Sequence, residues 1–524
     1  MNALQNVLIN KLDDQQEEAR EQEYRDLIGP FFFKRKFKIV FTKNKEVKMI
    51  SSDGEIIRSY IMTNCCYKNL EIPFNFEQVK HLQWIGKYQD MKKVGKWTAT
   101  WNNKILVDVG GQYCQKGMKQ GQWKELFKNF YDKAQVFEEG DYINNLRTGK
   151  WSIIYENKLI GGGIYNEKGQ KYGQWIELND YFQNDNQIIY QGEYYNCKKA
   201  CIWNIYRKRL AIFLNINSCK KTGNQSLEII GMEKYDQQGR KNGKWVELSE
   251  HFQKETQIIY CGEYNNGKKC GIWDIYHQTY SNRPFYLIGC GIYNDQGLKI
   301  GMWFEQSENF QNNGQIIYEG QYKNGIKIGK WYIKSKSGQI LERIGYGSYD
   351  EQGLKNDIWL ELSENYQNCN SEITYYGKYK NNKKIGKWEI QNKKFNKNPY
   401  ELIGGGLYND QGLKYGNWID LIEDFSSWKE IICKGVFHNG GKIGRWDLQF
   451  RSPQSNYFRN IGGGSYDNNN FKNGSWIDIC ADFSKNQRVV HKGVYDHGKK
   501  IGLWEEIRLC EDNGSLKIGQ KKYD

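Results

Sequence analysis

The stretch "GEYNNGKKCGIWDI", from Gly262 to Ile275, decides the fold. Two short runs flank Asn266-Gly267, the dipeptide that most strongly favours a tight hairpin turn, because both of its residues tolerate positive φ. The chain writes the phrase again as "GQYKNGIKIGKWYI" (Gly320 to Ile333) and "GKYKNNKKIGKWEI" (Gly377 to Ile390). One such hairpin is marginal in water. A chain that repeats it gains stability by stacking the copies edge to edge.

Aligned on tryptophan, 15 of the 18 fall in one register: Trp97, Trp123, Trp151, Trp175, Trp203, Trp245, Trp273, Trp303, Trp331, Trp359, Trp388, Trp418, Trp446, Trp476 and Trp504. Two half-units alternate. Half A is "GIYNDQGLKIGMWFEQSENF" (Gly291 to Phe310), and half B is "IIYEGQYKNGIKIGKWYI" (Ile316 to Ile333). The step from an A Trp to the next B Trp is 28 residues, once 29, whereas the step from B to A runs from 24 to 42. The A-to-B connection is therefore fixed and the B-to-A connection is free. Seven A-plus-B units follow a lone B half at residues 83–99.

Four residues before each of these Trp stands a cation: Lys93, Lys119, Arg147, Lys171, Lys199, Lys241, Lys269, Lys299, Lys327, Lys355, Lys384, Lys414, Lys442, Lys472 and Lys500. Two before it stands Gly, except at Cys201 and Asp357. Side chains alternate along a strand, so Tyr260, Gly262 and Tyr264 share one face. A glycine leaves a pit in that face, and a ring from the neighbouring strand is expected to cover it. Each A half also carries an acid two after its Trp (Glu125, Glu177, Glu247, Glu305, Glu361, Asp420, Asp478) and an aromatic seven after it (Phe130, Phe182, Phe252, Phe310, Tyr366, Phe425, Phe483). The acids repeat with the unit and read as architecture. The aromatics read as anchors that hold the connection to the sheet.

Composition agrees with many thin cores. The chain has 55 Gly, 38 Tyr and 5 Pro in 524 residues, and a mean hydropathy of −0.83. Flat rings would supply most of the apolar cover. The net charge of +15 favours acidic partners and says nothing of the fold. The 13 Cys are scattered without a paired CxxC spacing, and the six His form no ligand-spaced cluster, so no metal or other cofactor is expected. "IGGGIY" (160–165), "IGGGLY" (403–408) and "IGGGSY" (461–466) look like phosphate loops, but none precedes a helix, which phosphate binding needs. Neither a secretory leader nor a membrane-spanning apolar run is read.

The half-unit "Y-x-G-E-Y-x-N-G-K-x-x-G-x-W", best seen at 258–273 and in "GVYDHGKKIGLW" (493–504), resembles the MORN repeat, more closely its variant with G-x-W in place of G-x-G. The resemblance covers residues 83–510. It implies an elongated antiparallel sheet used as a scaffold, a dimerisation strip or a membrane-proximal adaptor, with protein or phospholipid partners. The departures at Cys201, Asp357 and "DNNN" (467–470) put local hairpin geometry in question.

The expected fold is thus all-β, an elongated antiparallel β-hairpin repeat array with a short N-terminal helix. Residues 1–29, with Leu4, Val7, Leu8 and Leu12 in a stripe, read as that helix, whether partner-binding or solvated. Residues 30–80 read as a small β cap. Its "FFFKRKFKIVF" suits either a first strand or an anionic membrane surface, through Lys34, Arg35 and Lys36. The array spans 81–510, with an insertion at 207–228, and 511–524 reads as a tail. Function follows as a non-catalytic cytoplasmic scaffold that binds proteins, cytoskeletal or membrane-associated. The alternative is an adaptor whose lysine ladder binds anionic lipid. Homodimerisation stays open, and nucleic acid is the least favoured partner.

Overall fold

The computed structural model describes residues 18–523 apart from short connecting stretches, the longest being 62–74 and 209–226. The chain forms two compact units, Met1–Lys269 with His277–Phe285, and Cys270–Tyr276 with Tyr286–Asp524. The architecture is the expected all-β array of antiparallel hairpins. In the first unit, eleven strands from Leu82–Gln89 to Leu227–Tyr235 pair in sequence order. In the second, the same serial pairing runs from Tyr286–Tyr293 to Ser515–Tyr523. Neither sheet closes on itself.

Local sequence explains each turn. Ile316–Lys323 pairs with Ile326–Ser337 through Lys323 and Ile326, and the intervening Asn324 and Gly325 have φ of 49° and 84°. Both lie in the left-handed region, as a tight primed turn requires. In half A the loop is longer. Asn409 Oδ1 accepts from the N–H of Gln411 at 3.1 Å and of Leu413 at 2.9 Å, closing the chain between Glu401–Tyr408 and Lys414–Leu421.

Two kinds of glycine do different work. The one two residues before each Trp is left-handed (Gly329 at φ 65°, Gly386 at 66°), and the ladder shifts register beside it, so it forms a bulge. Cys201 and Asp357 hold the same conformation, at φ 57° and 61°. The strands Lys198–Lys208 and Lys355–Leu362 therefore keep their pairing despite those departures. The "DNNN" loop also closes like the others, with Asp467 Oδ1 accepting from Asn469 and Phe471.

The second kind is the pit. A Cβ built on Gly320 would stand 2.2 Å from the Trp331 ring, one on Gly347 2.0 Å from Trp359, and one on Gly377 2.3 Å from Trp388. Each ring thus lies over the glycine of the preceding strand. It also stands in register with the glycine of the next, as Trp331 does with Gly347 and Trp359 with Gly377. Tyrosines fill the gaps between the indoles. Trp331, Tyr349, Trp359, Tyr379 and Trp388 meet edge to face at centroid distances of 6.0, 5.1, 5.8 and 5.2 Å. Such pairs add to the area that each ring buries.

A second row on the same face continues two residues past the B Trp, with Ile153, Ile205, Ile275, Ile333 and Ile390 buried. The predicted anchors complete this layer. Phe130, Phe182, Phe252, Phe310, Tyr366, Phe425 and Phe483 are all buried. Phe130 packs on Trp101 and Phe182 on Tyr155.

Three boundaries differ from expectation. Residues 18–28, read as helix, form the strand Glu18–Ile28, paired along its whole length with Phe31–Phe41. The register runs unbroken from Glu18 opposite Phe41 to Ile28 opposite Phe31, so backbone pairing with the next strand outweighs local helix propensity. Residues 1–17 lie outside the described residues, as do 52–55. The cap is therefore four-stranded, completed by Glu46–Ser51 and Ile56–Ile61, and Arg58 Nη1 donates to the Leu82 carbonyl at 2.6 Å. The supposed tail is a further strand, Ser515–Tyr523, paired with Lys499–Leu509, and Tyr523 extends the ring series to Trp504 at 6.2 Å. Of the insertion, 209–226 lies outside the described residues. Arg207, its first residue, lies in the strand Lys198–Lys208, is buried, and donates to Gln257, Gln278 and Glu228, each at 2.7 Å.

Candidate functional site

The cation ladder lies on the aromatic face. Its cations sit over the rings of their own Trp residues: Lys93 at 4.7 Å from the centroid, Lys327 at 4.1 Å, Lys384 at 4.0 Å and Lys500 at 4.4 Å. The bulge glycine between them allows this contact, which is favourable because the ring face is electron-rich.

The seven repeated acids meet these cations. Glu361 takes Lys355 on one oxygen and Lys384 on the other, the latter at 3.1 Å. Glu247 takes Lys241 at 2.7 Å and Lys269 at 2.8 Å. Glu305 clasps Lys299 and Lys327, Glu177 clasps Lys171 and Lys199, and Glu125 clasps Lys119 and Arg147. Tyrosine closes the ring of contacts. Tyr264 donates to Glu247 at 2.6 Å, Tyr322 to Glu305 at 3.1 Å and Tyr379 to Glu361 at 3.0 Å.

Burial opposes charge on these carboxyls, but the paired cations outweigh it and hold Glu125, Glu177, Glu247 and Glu361 below the usual range. Burial, then the adjacent acid, pushes the phenols of Tyr194, Tyr322 and Tyr379 up, so they stay protonated as donors. Burial pulls the Lys384 ammonium down, against the pull of Glu361.

The last two clasps are shorter. Asp420 reaches Lys414, and Asp478 reaches Lys472 at 2.6 Å. No carboxylate of the described residues reaches Lys442, which lies 4.5 Å from the Trp446 centroid and 5.7 Å from Tyr466, or Lys500. At least twelve of the fifteen ladder cations thus face acids of their own chain. Lys34, Arg35 and Lys36 lie on the strand Phe31–Phe41, opposite Arg25, Tyr24 and Glu23.

One pit is filled from within. Glu233 stands opposite Trp203 where other units have glycine. Its carboxylate accepts from Tyr235 at 2.8 Å and approaches Lys199 at 3.5 Å. Beside it lies a cavity of about 320 Å³, lined among others by Glu177, Tyr190, Lys199, Glu233 and Leu248.

Among the described residues, no layer covers the opposite face. Leu159, Ile229, Leu287 and Leu402 recur at the equivalent position of four A halves and are 61, 60, 54 and 58% exposed. Ile202, Ile272, Met302, Ile358 and Leu503, each the neighbour of a ladder Trp, are exposed as well. Sequence reasoning passed over these residues. The signal was present, because an aliphatic one position from each Trp must face away from it.

Among the described residues, no group of His, Cys, Asp and Glu is arranged to hold a metal ion, and no helix is long and apolar enough to cross a membrane. No family model and no curated protein matches the chain. Among solved structures, a protein from Lactobacillus plantarum is 9% identical and aligns over 77% of this chain and 96% of its own, at a TM-score of 0.17. The NanB sialidase from Streptococcus pneumoniae is 11% identical over 89% of this chain and 81% of its own, also at 0.17. At such scores neither bears on fold or chemistry.

Proposed function

We propose that this chain is a non-catalytic scaffold of the MORN-variant type, whose uncovered sheet face docks other proteins of a cytoskeletal or membrane-proximal assembly. The observation that carries the reading is the recurrence, within each compact unit, of large aliphatics left in water at one position of the repeat: Leu159 and Ile229 in the first unit, Leu287 and Leu402 in the second. Exposed apolar rows of this kind mark interaction surfaces. The acids, cations and phenols of the repeat are spent on one another, which supports architecture over chemistry. The alternative, an anionic-lipid adaptor, asks the ladder to face a membrane. With at least twelve of its cations facing acids, that reading draws mainly on Lys34, Arg35 and Lys36.

Detergent extraction of cells expressing the chain, followed by a salt wash, tests the choice. A scaffold held by apolar contacts stays in the insoluble fraction through high salt, and Leu159→Lys with Leu402→Lys releases it. Release of the unaltered chain by salt alone, as screening of a polybasic contact gives, overturns the reading.

A further inference from the structure

In five units the array displays its own ligand. Two cations, one from each half, close on a glutamate carboxylate, as Lys355 and Lys384 do on Glu361. The last two units keep both cations and shorten the acid by one methylene. Asp420 is taken by Lys414 and Asp478 by Lys472, so the second cation of each pair, Lys442 or Lys500, is left over rings alone. A second substitution falls in the same units. Where Tyr260, Tyr318 and Tyr375 lie 5.8, 5.7 and 5.2 Å from their B cations, the chain has Cys433 and His491. Lys442 stands opposite Phe437 as Lys384 stands opposite Tyr379, so it occupies the equivalent place. Shorter acid and smaller neighbour coincide in these two units and in no other.

We propose that Lys442 and Lys500 are two carboxylate subsites for an acidic peptide segment of a partner protein, whose Glu or Asp side chains supply the groups the last two units lack. The chemistry is that of the five internal clasps, made between chains. Four strand steps separate the two lysines, roughly 19 Å before twist, a span that an extended segment of about six residues covers. This surface is on the aromatic face. It is independent of the apolar row, so either can fail without the other.

The test uses the full chain and a fluorescent twelve-residue oligoglutamate, read by anisotropy at low and moderate salt. Lys442→Gln with Lys500→Gln should weaken binding at least tenfold. Asp420→Glu with Asp478→Glu should weaken it as much, because the longer internal acid then competes for the same cations, and it should do so without unfolding the chain. Peptide binding that survives the aspartate-to-glutamate change overturns the proposal. So does binding to phosphatidylserine vesicles that depends on Lys442 and Lys500 while the peptide does not bind.

Discussion

Ile358 and Trp359 are neighbours in one strand, yet the isoleucine is 40% exposed and the tryptophan 4%. The two faces of this sheet come from the same hairpins, offset by one residue, and only one is buried. Among the described residues, no second sheet covers the aromatic face. Its rings are buried because nearly all lie over a glycine, meet other rings edge to face and are roofed by a cation, which in most units an acid holds in place. Burial here is a property of the strand-to-strand series, which explains how a chain so poor in aliphatics folds. The opposite face has the same backbone without the glycine pits, and its side chains stay in water.

The largest expected effect comes from filling a pit. Gly377→Val sets a branched side chain where even a Cβ would be 2.3 Å from the Trp388 ring, which is held between Tyr379 and Tyr408. Overpacking of this order costs about 3 kcal/mol. A urea melt of the variant checks it. An unchanged midpoint would break the account of why one face is buried.

Acid should separate the faces next. The carboxyls of Glu125, Glu177, Glu247 and Glu361 titrate lower in the folded chain than in the unfolded one. Their contribution is therefore complete above the unfolded value, about pH 4.3, and is lost as the pH falls through the depressed folded values. Stability should hold from neutral pH to about 5 and then drop, with fluorescence of the buried Trp row reporting the loss. Glu361→Gln should remove part of that acid dependence and no more, since four other units keep a Glu clasp.

How much of this was legible in sequence follows from how local each feature is. Asn324-Gly325 fixes its own turn, and the pit at Gly320 needs only a strand partner, so both could be read in advance. The anchors at Phe130 and Phe182 could be read because a ring in a polar connection has one reason to recur. The clasp could not. Lys355 and Glu361 are six residues apart on one strand, and they meet only because the left-handed Asp357 bulges the chain between them. Strict period-two counting gives no sign of that contact, so the ladder read as a row of separate cations. The strand at 18–28 was hidden for another reason. Its sequence is polar all round, and its conformation comes from a partner strand that no local pattern announces. The strand at 515–523 was missed because Lys521 stands where the pit glycine belongs, and no Trp follows to mark the unit.

The smallest expected effect is on the open face, and it sharpens the comparison most. Leu402 is 58% exposed and pairs across the ladder with Gln391, while Ile403 beside it is buried at 5%. Leu402→Lys removes no buried contact and adds a solvated charge, so stability should change by no more than about 0.5 kcal/mol. Ile403→Lys, one residue away, should cost several times as much, because it puts an ammonium among Ile373, Ile390 and Phe425. Paired urea melts of the two variants measure the asymmetry directly. A large loss at Leu402 would mean that something in this chain already covers the open face, and the row could not then serve a partner. A negligible loss leaves four exposed aliphatics that folding does not require, which is the condition for their being kept by binding.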